Sequence, residues 1–178
     1  MLAEMEPTRL ESFNIPTGKV GTELTLYKMR DLVKQANQHR EIKETAVSLI
    51  ANCKPQDQLC QIGHIFAFVQ TRLRYVRDES GVEELTAPWI ILNNLRAGRA
   101  THSSDCDDHT MLVSALLKAV GFRTRFVAVA STQAGYDHVR AEVNIDGRWL
   151  PLEATRKNES LGFAVKSVLP PMALEVDF

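Results

Sequence analysis

Three side chains in the second half of the chain have the types that acyl transfer through a thioester requires: Cys106, His138 and Glu153. A cysteine attacks a carbonyl as the thiolate, so it needs a helix N-terminus or a neighbouring histidine to favour the anion. His138 is the natural partner, able to take the thiol proton and return it to the leaving group. Glu153 would orient the imidazole through its other ring nitrogen and stabilise the charge that the ring acquires. Backbone N–H groups at the start of the Cys106 segment, that of Cys106 included, would point toward the oxyanion formed on the attacked carbonyl. Asn93 or Asn94, in the stretch before it, would add a side-chain donor, although Trp89 could equally wall the cleft there.

Each of these residues needs an element to hold it. Ser104 or Asp105 can cap a helix whose apolar stripe is Met111, Leu112, Ala115, Leu116 and Ala119 and whose stop is Gly121, which puts Cys106 in its first turn. The segments FRTRFVAVAS, HVRAEVNI and RWLPLEAT that follow are short and rich in β-branched or aromatic residues, as strands are. The Asp-Gly pair in NIDGRW predicts a tight hairpin between the His138 strand and the Glu153 strand, which brings those two residues close together. Trp149 and Leu152 are expected to pack this sheet onto the Cys106 helix.

Upstream, residues 13–27 read as an extended lead-in in which Val20, Leu24 and Leu26 alternate. From Lys28 to about Asn52 the apolar spacing predicts an amphipathic helix broken near Gln38. KPQD interrupts it, and Asp57 can cap a second helix carrying Leu59, Ile62, Ile65, Phe66, Val69 and Leu73. Residues 77–104 read as a surface loop with a short helix from Pro88 to Leu95, and the tail after Pro170 and Pro171 as an edge strand or a flexible terminus.

In order and spacing, SDCDDHTMLVSALLKAVGFRTRFVAV followed by YDHVRAEVNIDGRWLPLEAT resembles the transglutaminase-like core of many bacterial and phage proteins. In that family a Gly-Asp-Cys motif opens a helix, a His-Val strand follows, and an Asp lies in a Leu-Asp-Ala-Thr strand. Cys106, His138 and Glu153 take those places, with Ser104 standing for the glycine and Glu153 for the aspartate. The upstream helices and the Tyr-Val-x-Asp segment at Tyr75 look like those of phage-encoded and prophage-encoded members, so the resemblance covers roughly residues 25 to 160. It implies an α+β domain with a papain-like core: N-terminal helices, then a nucleophile-bearing helix packed on an antiparallel sheet. The expected organisation is a lead-in at 1–27, a transglutaminase-like domain at 28–165 and a tail at 166–178.

Other features have plainer readings. Asp105, Asp107 and Asp108 crowd a helix start, where carboxylates cap N–H groups and suit the macrodipole. A calcium site on the three is the alternative, drawn from the similar acidic segment of some periplasmic relatives, but the spacing of an EF-hand loop is absent. No cofactor is therefore expected. His102 and His109 lack the second Cys or His pair that zinc would want. Arg123, Arg125, Arg140 and Arg148 are expected on a solvated strand face. The odd set of cysteines, Cys53, Cys60 and Cys106, argues against a disulfide framework and for a reducing compartment, with Cys53 and Cys60 as thiols.

The whole chain of 178 residues is 44% hydrophobic and 24% charged, ordinary globular composition for one main domain. A net charge of −1 offers no broad field to gather nucleic acid or an anionic membrane. An acidic N-terminus without a continuous apolar stretch argues against a secretory signal, and nothing reaches bilayer-spanning length. The expectation is a cytoplasmic cysteine protease or amidase acting on a protein or peptide. Its rival is a non-catalytic phage virion or assembly component that keeps the fold.

Overall fold

The computed structural model describes residues 10–13, 16–76, 83–98 and 104–176. At the centre lies helix α5, Cys106–Ala119, buried at every position from Asp107 to Lys118. Such a helix is walled on all sides. Four helices surround it: α1 (Lys19–Ala36), α2 (Arg40–Ile50), α3 (Gln58–Arg72) and α4 (Pro88–Arg96), each in contact with α5. An antiparallel sheet closes the remaining side, in the order β5 (Arg148–Leu152), β4 (His138–Ile145), β3 (Thr124–Val129), β6 (Met172–Val176). Phe126, Ala128, Val139, Ala141, Val143 and Leu152 form the apolar face that α5 packs against. A separate two-stranded pairing joins β1, Leu10–Phe13, to β2, Glu83–Thr86.

The sequence signals that punctuate these elements act as expected. Asp57 accepts the Cys60 N–H at 3.0 Å and so caps α3. Gly121, at φ 94°, ends α5 in a Schellman arrangement: its N–H bonds the Lys118 carbonyl and that of Phe122 bonds the Leu117 carbonyl. Asp146 and Gly147, both at positive φ, make the hairpin turn between β4 and β5. The break near Gln38 falls between α1 and α2, and the tail supplies edge strand β6 on β3.

Four expectations are corrected. The segment read as an extended lead-in is helical from Lys19, because Gly21, Thr25, Met29, Leu32, Val33 and Ala36 carry the buried stripe at helical spacing while Val20 and Leu24 face solvent. Cys53 and Cys60 are joined in a disulfide rather than present as thiols. The 54–57 turn folds Cys53 back over the first turn of α3, with a Cα separation of 5.8 Å that suits a bridge, which removes the cysteine-count argument for a reducing compartment. Leu152 packs toward α5, but Trp149 lies under the Arg125 guanidinium, 4.5 Å from ring centroid to Cζ. Finally, Arg125 and Arg140 do not simply face solvent: half-buried Arg125 and buried Arg140 both hold the buried Glu142 carboxylate, and Arg140 also donates to the Val165 carbonyl. One carboxylate thus bridges two guanidinium groups on this face.

Candidate active site

The start of α5 is built from acidic side chains used as caps. Asp105 accepts the N–H groups of Asp107 and Asp108 through one oxygen, at 3.0 and 3.3 Å. Asp108 accepts the Thr86 N–H at 3.0 Å and thereby ties β2 to the helix. The half-buried Cys106 thiol donates to Asp107 at 3.7 Å. Ser104 is fully buried and accepts the Val76 N–H at 3.1 Å.

Two links bring the first turns of α5 to the ends of β4 and β5. Thr110, one turn beyond Cys106 on the same helix face, donates to the Val139 carbonyl at 3.3 Å, beside His138. His109 is buried and feels the charge of Glu153. Burial holds the His109 pKa below its usual value; the bond to the Asp105 carbonyl and the Glu153 charge oppose that without reversing it, and Lys157 adds to the lowering. Its Nδ1 lies 2.7 Å from that carbonyl, which can only accept, so Nδ1 carries the hydrogen.

His138 Nε2 lies 2.9 and 2.8 Å from the two oxygens of Glu153, which is itself 1% exposed. A carboxylate only accepts, so Nε2 carries a hydrogen, and the tautomer this bond selects in a neutral ring has its lone pair on Nδ1. Thr155 donates its hydroxyl to Glu153 Oε1 at 2.7 Å, which fixes the carboxylate from the other side. The extra methylene of Glu relative to Asp is accommodated because Glu153 lies just past the end of β5, where the chain leaves the ladder. Before β4, Asp137 accepts both the N–H and the hydroxyl of Ser131, bracing the turn that delivers His138.

The remaining candidates are placed differently. Asn93, in the second turn of α4, turns its amide to Glu41 on α2 at 3.4 Å. Thr86, earlier in the same stretch, bonds Asp108 at the α5 start through its N–H. Asn94 is half-buried next to Asn93 on α4. Asp105 and Asp108 spend oxygens on backbone N–H groups, and Asp107 faces the thiol. Among the described residues, the ligand-type side chains whose donor atoms converge are elsewhere, at Cys53, Cys60 and His64. His102 lies outside the described residues. Sequence reasoning missed His109, Thr110 and Thr155; the i+3 and i+4 spacing from Cys106 was the signal available for the first two.

The family model of the transglutaminase-like superfamily matches residues 43–154. The chain belongs to that superfamily. Its members' helix-on-sheet, papain-like core is the architecture described above. No curated protein matches the chain. Among solved structures, the chain is similar to a candidate protease of Parabacteroides distasonis, at 12% identity and TM-score 0.54, over 85% of this chain and 29% of that one. It is also similar to a candidate cysteine protease of Cytophaga hutchinsonii, at 17% identity and TM-score 0.48, over 77% and 51% of the two chains. LapG of Legionella pneumophila matches at 17% identity and TM-score 0.47, over 75% and 73%. The chain thus spans about a third and about half the length of the first two. Among its described residues, no helix is long and apolar enough to cross a membrane.

Proposed function

We propose that this transglutaminase-like protein is a cysteine hydrolase that cleaves amide bonds of a protein or peptide, with Cys106 as nucleophile, His138 as base and acid, and Glu153 as the orienting carboxylate. The observation that carries the reading is the engagement of His138 Nε2 by both oxygens of the buried Glu153. It commits Nε2 as donor and leaves Nδ1 to take the thiol proton. The thiolate, formed at the N-terminus of α5, adds to the amide carbonyl, and the oxyanion meets N–H groups of the first turn that Asp105 does not occupy. His138 then protonates the departing amine, and a water activated by the same ring hydrolyses the thioester.

Iodoacetamide labelling tests this directly, since Cys106 is the free thiol of the non-reduced protein. Labelling at neutral pH should be fast, and at least about tenfold slower in His138→Ala. A rate equal to that of a simple thiol and unchanged in His138→Ala would sink the nucleophile assignment. Mass spectrometry of candidate protein substrates then separates hydrolysis from amine transfer, and absence of turnover with a reactive thiol would favour the non-catalytic reading.

A further inference from the structure

A second cluster of chemistry-bearing side chains lies at the corner between α2 and α3. Cys53, Cys60 and His64 each bring a ligand-type atom to one place, all within 4.8 Å of one another. Cys60 and His64 are one turn apart on α3, so their side chains share a face, and the preceding turn brings Cys53 over it. Tetrahedral zinc bound by two thiolates and an imidazole sets its ligand atoms about 3.5–3.8 Å apart, a spacing this corner reaches with small side-chain rotations.

The corner does not depend on the disulfide for its shape. The Cys53 N–H bonds the Ile50 carbonyl at 2.9 Å and the Asp57 N–H bonds that of Lys54 at 3.0 Å. Gln61 reaches back from α3 to the carbonyls of Lys54 and Pro55, at 3.3 and 3.0 Å, and Asp57 caps the helix through the Cys60 N–H. With five hydrogen-bonded ties in a turn this short, the two sulfurs remain neighbours when the bond between them is opened. His64 is exposed, so its ring is free to swing toward a metal.

We infer that Cys53, Cys60 and His64, with the sulfurs reduced, form a binding site for a thiophilic divalent cation, Zn²⁺ foremost, with water in the fourth position. A dithiol supplies the two electrons that open the disulfide and leaves as its own cyclic disulfide, and the metal then displaces one proton from each thiol. Two thiolates and an imidazole are a donor set that selects zinc over hard cations. Oxidation of the pair removes both anionic ligands, so the disulfide and metal-bound forms exclude each other.

The test uses the full chain carrying Cys106→Ser, which leaves this pair as the protein's thiols, reduced and titrated anaerobically with Co²⁺ and then Zn²⁺. One equivalent of Co²⁺ should give a thiolate-to-cobalt charge-transfer band, displaced by Zn²⁺ and absent from the non-reduced protein. Cys60→Ser should lose the band, and His64→Ala, at an exposed position that leaves folding intact, should weaken Co²⁺ binding by on the order of tenfold or more. The inference is overturned by a reduced protein that gives no charge-transfer band, by a band retained in Cys60→Ser, by unchanged affinity in His64→Ala, or by a disulfide that withstands dithiol in the folded protein.

Discussion

Cys106 and Cys60 occupy nearly the same local structure and different chemical worlds. Each lies in the first turn of a helix capped by an aspartate, Asp105 in one case and Asp57 in the other. Each has a histidine on its own helix within a turn, His109 or His64. What differs is what packs on that turn. The α5 start is tied to β2 through Asp108 and to β4 through Thr110, beside His138 with its Glu153 carboxylate. The α3 start is exposed and meets Cys53. A helix N-terminus and a thiol therefore do not by themselves mark a candidate nucleophile; a nearby histidine held by a buried carboxylate is the further requirement, and the proposed function rests on it.

The contrast is broken most severely at the nucleophile. Cys106→Ala should lower peptide turnover by at least about 10³-fold, whereas a Cys53→Ser, Cys60→Ser double variant should keep most of it, as measured by steady-state kinetics on one substrate. Equal losses in both would erase the distinction. Next in size, Glu153→Gln should cost about 10²-fold or more in kcat, because an amide can present its NH₂ to Nε2 and select the wrong tautomer. Glu153→Asp should fall between wild type and Glu153→Gln, its carboxylate kept but drawn back by one methylene.

These two sites differ in how far the sequence revealed them. The α5 cap, the three strands and the Asp-Gly hairpin follow local rules within a few residues, so Cys106, His138 and Glu153 could be set on their elements directly. The Cys53–Cys60 bridge required knowing that the 54–57 turn closes on itself, which depends on Gln61 reaching back from the helix. Helix α1 was read as extended because Val20, Leu24 and Leu26 mimic alternation, and only the packing against α5 shows that Gly21 and Thr25 carry the buried face. The Arg125–Glu142–Arg140 cluster was invisible for a related reason: alternation places residues on a face but does not say that one carboxylate will gather two guanidinium groups or that the Val165 carbonyl will reach Arg140.

Smaller effects sharpen the comparison through stability. Asp105→Ala leaves two N–H groups of a buried first turn without their acceptor and should cost about 2 kcal/mol, against about 1 kcal/mol for Asp57→Ala at the exposed turn, by urea unfolding. His109 adds a pH dependence to the stability of the α5 start. Because desolvation by burial lowers its folded pKa below the reference 6.5, the unfolded chain binds more protons below that pH, and stability is full above it and lost as pH falls. The slope contributed by this one group is at most about 1.4 kcal/mol per pH unit, and His109→Gln should flatten it. Smallest of all, Asp107→Asn should speed alkylation of Cys106 several-fold by removing the carboxylate that the thiol faces.

The hairpin that joins β4 to β5 has a further consequence in time. His138 and Glu153 are separated by 15 residues and a two-residue turn, so the base and its carboxylate belong to one of the most local pieces of the fold. Local hairpins close in microseconds, whereas the docking of α5 against four helices and the sheet requires contacts from the whole chain. The His138–Glu153 pair is thus set early and the Cys106 helix docks late. A partly folded chain holds the imidazole and its carboxylate together before α5 is seated against the sheet.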